Sequence, residues 1–451
     1  MEWSTKSKFK LSAKYGTSLI EVLISVSVVL FIVVSLLSLF TTGIRLVYQN
    51  KARIAAVALA NQQLEQIRNL PYDDIGTQNG VPGGSLPQTQ IITQNGINFT
   101  VDTNIEYVDD VYDNGTSGNA DTVPTDYKTA TVNISWNVTN KATSITLTTN
   151  ITPSGPETNA NGGTLRIEVY DPSIDPISPV NQALVTITAP SINITKKTNS
   201  DGLYTLYGAP PGTEAYHVSV TKSGYSTAQT YTTDPLNNPT PQPADLNIVS
   251  GDLTTQYLEI SPLVTSLTIQ TLDLTTSTPI STMLTMHSKK TIGNDSDVNP
   301  IYKFNQTITT DAAGNYTLTN FEADTYYIDL DDSVTDYIIS GYSPLLPLTV
   351  LPQTTNTLTL SLSPAVPTTA LFTITNADNQ ILPNATVRLY RTEPGFDNTI
   401  TTNSAGQAFF SDLPSVGAYA LEINLTGYIS YNNPVTITQY YYEPIILATQ
   451  S

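Results

Sequence analysis

At 451 residues the chain has room for roughly three or four domains. Only 13% of it is charged, and the formal net charge of −19 sits almost wholly beyond residue 70: residues 1–70 hold eight Lys and Arg against three acids, the remainder 11 against 35. An acidic body counts against nucleic-acid binding, and the absence of cysteine excludes a disulfide framework and any Cys/His zinc site.

Residues 1–16 read as a basic, polar leader carrying Lys6, Lys8, Lys10 and Lys14. Residues 17–70 read as one long helix. From Val22 to Ile44 no side chain is charged, and at 1.5 Å per residue that run spans roughly 35 Å, enough to cross a bilayer. Glu21 stands alone at its start, and a carboxylate at the edge of a membrane helix is costly and usually functional. A plain signal anchor gives the same basic flank and apolar run. A cleavable secretory signal has an apolar core of only about 7–15 residues, and Phe40-Thr41-Thr42-Gly43 is a poor cut site. Further on, the helix becomes amphipathic, with Val57, Ala60, Leu64 and Ile67 spaced for one face. Pro71 ends it.

The stretch Gly16-Thr17-Ser18-Leu19-Ile20-Glu21-Val22-Leu23 resembles the processing site of type IV prepilins and type II secretion pseudopilins. The resemblance implies cleavage by a prepilin peptidase between Gly16 and Thr17, methylation of Thr17, and an assembly role for Glu21. Family members often have Phe or Met after the cut and then Thr, where this chain has Thr and Ser. The stretch from Leu59 to Tyr72 is similar to the helix exit of minor pilins, although any amphipathic helix predicts the same residues.

Residues 71–153 read as a small β head. Ile91-Ile92-Thr93 and Ile97–Val101 suit a hairpin about Asn95-Gly96. Residues 130–138 alternate with period two, and Ser144–Ile151 closes the sheet. The run Asp126-Tyr127-Lys128 leading into a strand that ends at Trp136 is similar to pilin-type heads. Between two strands, Asp109, Asp110, Asp113, Asn114 and Asp121 offer oxygen ligands of the kind calcium takes. The EF-hand spacing is absent, and Asx and Gly are also ordinary turn formers, so a calcium loop and a solvated loop both stand.

Residues 154–163 are a linker by composition. A repeat of roughly 100 residues follows three times, over 164–262, 263–363 and 364–451, a period that means a domain rather than a solenoid unit. Each copy has short alternating strands, a turn (Asn199-Ser200-Asp201-Gly202, Thr310-Asp311-Ala312-Ala313-Gly314, Asn403-Ser404-Ala405-Gly406) and a Gly-Tyr pair (Gly224-Tyr225, Gly341-Tyr342, Gly427-Tyr428). These features resemble the carboxypeptidase regulatory-like, or transthyretin-like, fold. The resemblance implies a sandwich without a catalytic centre, with the aromatic of the Gly-x-aromatic turn in the core. The expected fold class is therefore an α+β pilin module, a long N-terminal helix with a small antiparallel sheet, followed by all-β sandwiches in tandem.

Signs of catalysis are sparse. His217 and His287 fall in different repeats, which leaves little for a Ser-His-Asp triad. Asp331-Asp332 is an acid pair of the sort that also occurs on ordinary loops. Tyr440-Tyr441-Tyr442 alternates faces in a strand and suits either core packing or a patch for a glycan or protein receptor.

The expected protein is a non-enzymatic minor type IV pilus subunit. Its partners are the prepilin peptidase, other pilin subunits through the helix, and the inner membrane before assembly. It is single-pass before assembly and then lies on an extracellular fibre or the cell surface. A type II secretion pseudopilin and a membrane-anchored carbohydrate- or protein-binding surface protein are the alternatives.

Overall fold

The computed structural model describes residues 18–109, 125–138, 141–153, 162–174, 176–330 and 336–450. The chain forms two compact units, Met1–Thr158 and Asn159–Ser451.

In the first unit, α1 (Leu19–Arg68) runs for 50 residues, about 75 Å at the usual rise. Among the described residues it is the one helix long and apolar enough to cross a membrane; its most apolar window has a mean hydropathy of 2.9 and none of that window is buried within the chain. The upper half buries Ala52, Ala55, Ala56, Leu59, Ala60, Gln63, Leu64 and Ile67. Steps of three and four put these residues on one face. Val57 is not among them: it turns outward, 38% exposed. The inward face is instead built on alanines, whose small side chains let the helix backbone sit close to a sheet.

That sheet has the order β1 (Thr89–Gln94), β2 (Ile97–Val108), β3 (Tyr127–Val138), β4 (Lys141–Ile151), all antiparallel. Asn95 and Gly96 both take positive φ, 52° and 77°, as a tight two-residue hairpin turn requires. Phe99, Val101 and Ile105 of β2, with Ala130, Val132, Ile134 and Trp136 of β3, meet the alanine face in one core. Gln90 donates to Gln63 at 3.2 Å, and Arg68 to Thr149 at 2.7 Å.

The second unit holds three sandwiches. The first comprises β5 (Gly163–Asp171), β6 (Ser178–Pro179), β7 (Leu184–Ala189), β8 (Ile192–Lys197), β9 (Leu203–Ala209), β10 (Gly212–Thr221), β11 (Ala228–Gln229), β12 (Leu246–Ile248) and β13 (Leu253–Glu259). The second comprises β14 (Val264–Asp273), β15 (Met283–Ser288), β16 (Thr291–Asn294), β17 (Pro300–Tyr302), β18 (Asn305–Thr309), β19 (Asn315–Phe321), β20 (Thr325–Leu330), β21 (Tyr337–Ser343), β22 (Leu348–Thr349) and β23 (Thr355–Pro364). The third comprises β24 (Thr369–Asn376), β25 (Thr386–Arg391), β26 (Phe396–Thr401), β27 (Gln407–Phe410), β28 (Gly417–Asn424), β29 (Tyr431–Ile437) and β30 (Tyr440–Leu447).

One plan serves all three. One sheet is centred on β7, β15 or β25, flanked by β8 and β10, β18 and β20, or β26 and β28. In the facing sheet the first strand pairs antiparallel with β9, β19 or β27, and parallel with the last strand, β13, β23 or β30. The alternating residues inside, such as Leu165, Ile167 and Val169 facing Val185, Ile187 and Val218, form each core.

The repeated turn has a physical basis. Asn199, Asp311 and Asn403 each accept two backbone N–H bonds on Oδ1, from residues two and four further on. Gly202, Gly314 and Gly406 take φ of 71°, 72° and 69°. A Cβ at these positions would lie 2.4, 2.4 and 2.8 Å from the carbonyl oxygens of Val169, Thr271 and Ile374, so glycine is required there. The preceding threonines, Thr198, Thr310 and Thr402, are buried and tie the turn to the neighbouring strand: their hydroxyls donate to the carbonyls of Val180, Ile280 and Leu382.

Two features differ from expectation. The aromatic after the turn glycine is not fully buried: Tyr204 and Tyr316 are half-buried, Tyr316 packing against the core of the second sandwich, and the third copy has Ala408 at that position. The aromatic buried in all three copies is instead a tyrosine of β10, β20 or β28, Tyr216, Tyr326 or Tyr419, whose hydroxyl donates to the carbonyl of Pro210, Glu322 or Ser415. A tyrosine can enter the core there because its polar tip finds a partner. Gly224-Tyr225 and Gly427-Tyr428 do form the same turn, with positive φ at each glycine. Gly341-Tyr342 instead lies inside β21, paired with β23, and Tyr342 is buried in the sheet.

Candidate functional site

Four strands of the second and third sandwiches, β20, β21, β24 and β30, line a cavity of about 550 Å³. Alternation along β30 turns Tyr441 toward the core and sets Tyr440 and Tyr442 outward, 42% and 47% exposed. Tyr327 of β20 faces the same space from the second sandwich. The floor is fixed. The Tyr342 backbone N–H donates to the Gln407 side-chain oxygen at 2.9 Å, its hydroxyl lies 3.1 Å from Thr373 Oγ1, and its ring stands edge-on to Tyr442 at 5.9 Å. Leu371 of β24 joins the core of the second sandwich, so the two sandwiches share packing beneath the cavity. Burial pushes the Tyr342 phenol far above its ordinary pKa and, aided by the Glu443 carboxylate, raises Tyr441 to about 12. Both stay protonated at neutral pH and act as hydrogen-bonding rings.

Tyr327 also ends a stack. The His287 ring lies between Tyr302, at 4.0 Å, and Tyr327, at 5.0 Å and 9° from parallel. His287 Nδ1 donates to the Ser288 carbonyl at 3.2 Å. The place therefore offers ring faces and apolar walls, with Asp329 among the lining residues. It suits the C–H face of a sugar or an apolar side chain.

His217 has a carboxylate partner, Asp245, at 2.9 Å. The hydroxyl beside them, Thr230, lies on the same ring nitrogen at 3.4 Å and donates to Asp245 at 2.7 Å. A triad needs its hydroxyl on the other nitrogen. Asp245 also accepts from Thr232 at 2.7 Å, so the cluster knits a loop to β10.

Of the residues singled out in the sequence, Glu21 lies exposed in the first turn of α1. Gly16 and Thr17 lie outside the described residues, as do Asp110, Asp113, Asn114, Asp121 and the Asp331-Asp332 pair. Asp109 follows the end of β2, and among the described residues no cluster of His, Cys, Asp or Glu could hold a metal ion. Sequence reasoning missed Tyr327, Tyr342 and the His287 stack. The signal available for Tyr327 was its outward phase next to buried Tyr326; no sequence signal joins β20 to β30.

The carboxypeptidase regulatory-like domain family matches residues 373–441, within the third sandwich. No curated protein matches the chain. Among solved structures the chain is similar to the Bacillus anthracis TIE protein, at 14% identity and a TM-score of 0.20, over 80% of this chain and 74% of that one. It is similar to a Streptococcal ancillary pilin, at 12% identity and a TM-score of 0.18, over 64% of this chain and 99% of that one. It is also similar to the shaft pilin SpaA from Lactobacillus rhamnosus GG, at 13% identity and a TM-score of 0.19, over 46% of this chain and 100% of that one. At such TM-scores these likenesses carry no argument about function. The chain's own architecture is one long N-terminal helix followed by β-sandwich domains, and the matched domain is a non-catalytic fold.

Proposed function

We propose that this is a non-enzymatic minor subunit of a type IV pilus, cut after Gly16, assembled through α1, and displaying its sandwiches for surface contact. The observation that carries the reading is α1 itself: an apolar lower half with a single acid, Glu21, in its first turn, continuous with an upper half seated on a small antiparallel sheet. A helix built this way has one half for lipid or neighbouring subunits and one half for its own head. In the membrane the Glu21 carboxylate is costly, and a neighbouring subunit's N-terminal amine would relieve that cost. The tyrosine cleft between the last two sandwiches is the contact surface in this reading.

The test is the N-terminal sequence and mass of the mature protein from membranes. The expected chain begins at methylated Thr17, and Glu21→Ala is processed but absent from sheared fibres. An intact Met1, or a cut beyond residue 40, overturns the reading. Processing with loss of protein secretion and intact fibres assigns a type II secretion pseudopilin instead.

A further inference from the structure

We propose that the three sandwiches are force-bearing clamps, which resist unfolding when the chain is pulled along its length. The basis is the parallel pairing of first and last strands. In the first sandwich the ladder runs from Thr164↔Leu253 to Tyr170↔Glu259, in the second from Ser266↔Thr355 to Asp273↔Leu362, and in the third from Thr369↔Tyr440 to Asn376↔Leu447. In each, the chain enters at the first end of the ladder and leaves at the other. Tension then draws the two strands in opposite directions along their own axes. The evenly spaced bonds of a parallel ladder are loaded together. Had the closing pair been antiparallel, entry and exit would share one end and the bonds would break one after another.

Three further observations strengthen the clamp. The first strand is never at an edge: β5 lies between β13 and β9, β14 between β23 and β19, and β24 between β30 and β27. Sliding it therefore breaks a second ladder as well. Alternate side chains of β5 and β14 are core residues, and every residue of β24 is buried, so sliding also exposes apolar surface. Lastly, β13 ends at Glu259 with β14 starting at Val264, and β23 ends at Pro364 with β24 starting at Thr369. Such short connections pass tension straight from one ladder to the next. The property holds for any arrangement that pulls between α1 and the last sandwich, so it survives failure of the pilus reading.

The chain has no cysteine, so engineered cysteines give unique attachment points for DNA handles on the full chain in detergent. Thr265→Cys with Ala365→Cys pulls the second ladder in shear. Thr265→Cys with Thr355→Cys pulls the same ladder from one end. These positions are exposed, and both variants are expected to melt with the parent chain. At equal loading rate in optical tweezers, the shear pair is expected to rupture at several-fold higher force. Forced unfolding reports the barrier to unfolding rather than equilibrium stability, which is why geometry decides it. Equal forces, or a weaker shear pair, would overturn the proposal. Should either variant melt early, the same comparison in the third sandwich, Pro367→Cys with Gln450→Cys against Pro367→Cys with Gln439→Cys, decides it.

Discussion

Lys128 is the most unusual residue of the first unit. It is 1% exposed, and its Nζ donates to the carbonyls of Tyr72 at 2.7 Å and Ile75 at 2.9 Å. The Tyr72 ring lies 4.4 Å from the ammonium. Burial lowers its pKa from 10.5 to about 8, against the opposing pull of Asp73 and Asp74. The sign of the linkage follows. Between about pH 8 and 10.5 the unfolded chain still holds a proton that the folded chain has released, so this group makes stability rise with pH in that window. Below it both states are charged, and the cost of burying the ammonium is carried in full. Urea unfolding at pH 7.5 and 9.5 is expected to show the parent gaining stability relative to Lys128→Met as pH rises. A parallel or falling difference would refute the assignment. The variant should be less stable at both values, because two buried carbonyls lose their donor.

At the scale of the element, the buried helix face departs from the one the spacing predicts. Ala56 is fully buried against the sheet, while Val57 is 38% exposed one residue later. Ala56→Leu is expected to cost about 1–3 kcal/mol through overpacking, whereas Val57→Ala should stay within about 0.5 kcal/mol. Melting of the two variants in micelles checks this, and the reverse order would place the face one residue further on. The sheet on which the helix rests was legible, since β2 and β3 alternate and Asn95-Gly96 is a turn pair with a known conformation. The turns from Asn199, Asp311 and Asn403 were legible for the same reason: an Asx oxygen and a glycine at fixed spacing answer a local backbone demand. Tyr216, Tyr326 and Tyr419 were not, because a tyrosine whose hydroxyl has a partner and one that faces water look alike in a strand.

Across the whole second unit, the tyrosine cleft and the shared core make opposite demands. Tyr440 and Tyr442 are largely exposed, while Leu371 is 5% exposed and part of the core of the second sandwich. Tyr440→Ala with Tyr442→Ala is therefore expected to leave the melting temperature near that of the parent and to reduce surface contact in an adhesion assay. Leu371→Ala should cost about 2–5 kcal/mol. Unchanged adhesion in a folded double variant would remove the cleft from the functional reading. The first and second sandwiches are also joined, through Lys303 Nζ donating to the Thr227 carbonyl at 2.7 Å and the Asn238 amide donating to the Ile292 carbonyl at 3.0 Å.

What depends on neighbours along the chain was legible in the residues alone: the apolar run after Glu21, the helix that ends before Pro71, the Asn95-Gly96 hairpin, the threefold turn and the β-sandwich class. Propensity, polarity and turn chemistry act over a few residues, and a repeat announces itself by recurrence. Folding in three dimensions was needed to show that the first and last strands of each sandwich run parallel, that Gly341-Tyr342 lies in a strand, and that Tyr327 and Tyr442 share a cleft. Those facts join residues about 20 to 115 positions apart, and strand alternation shows which face a side chain takes without showing which strand lies beside it.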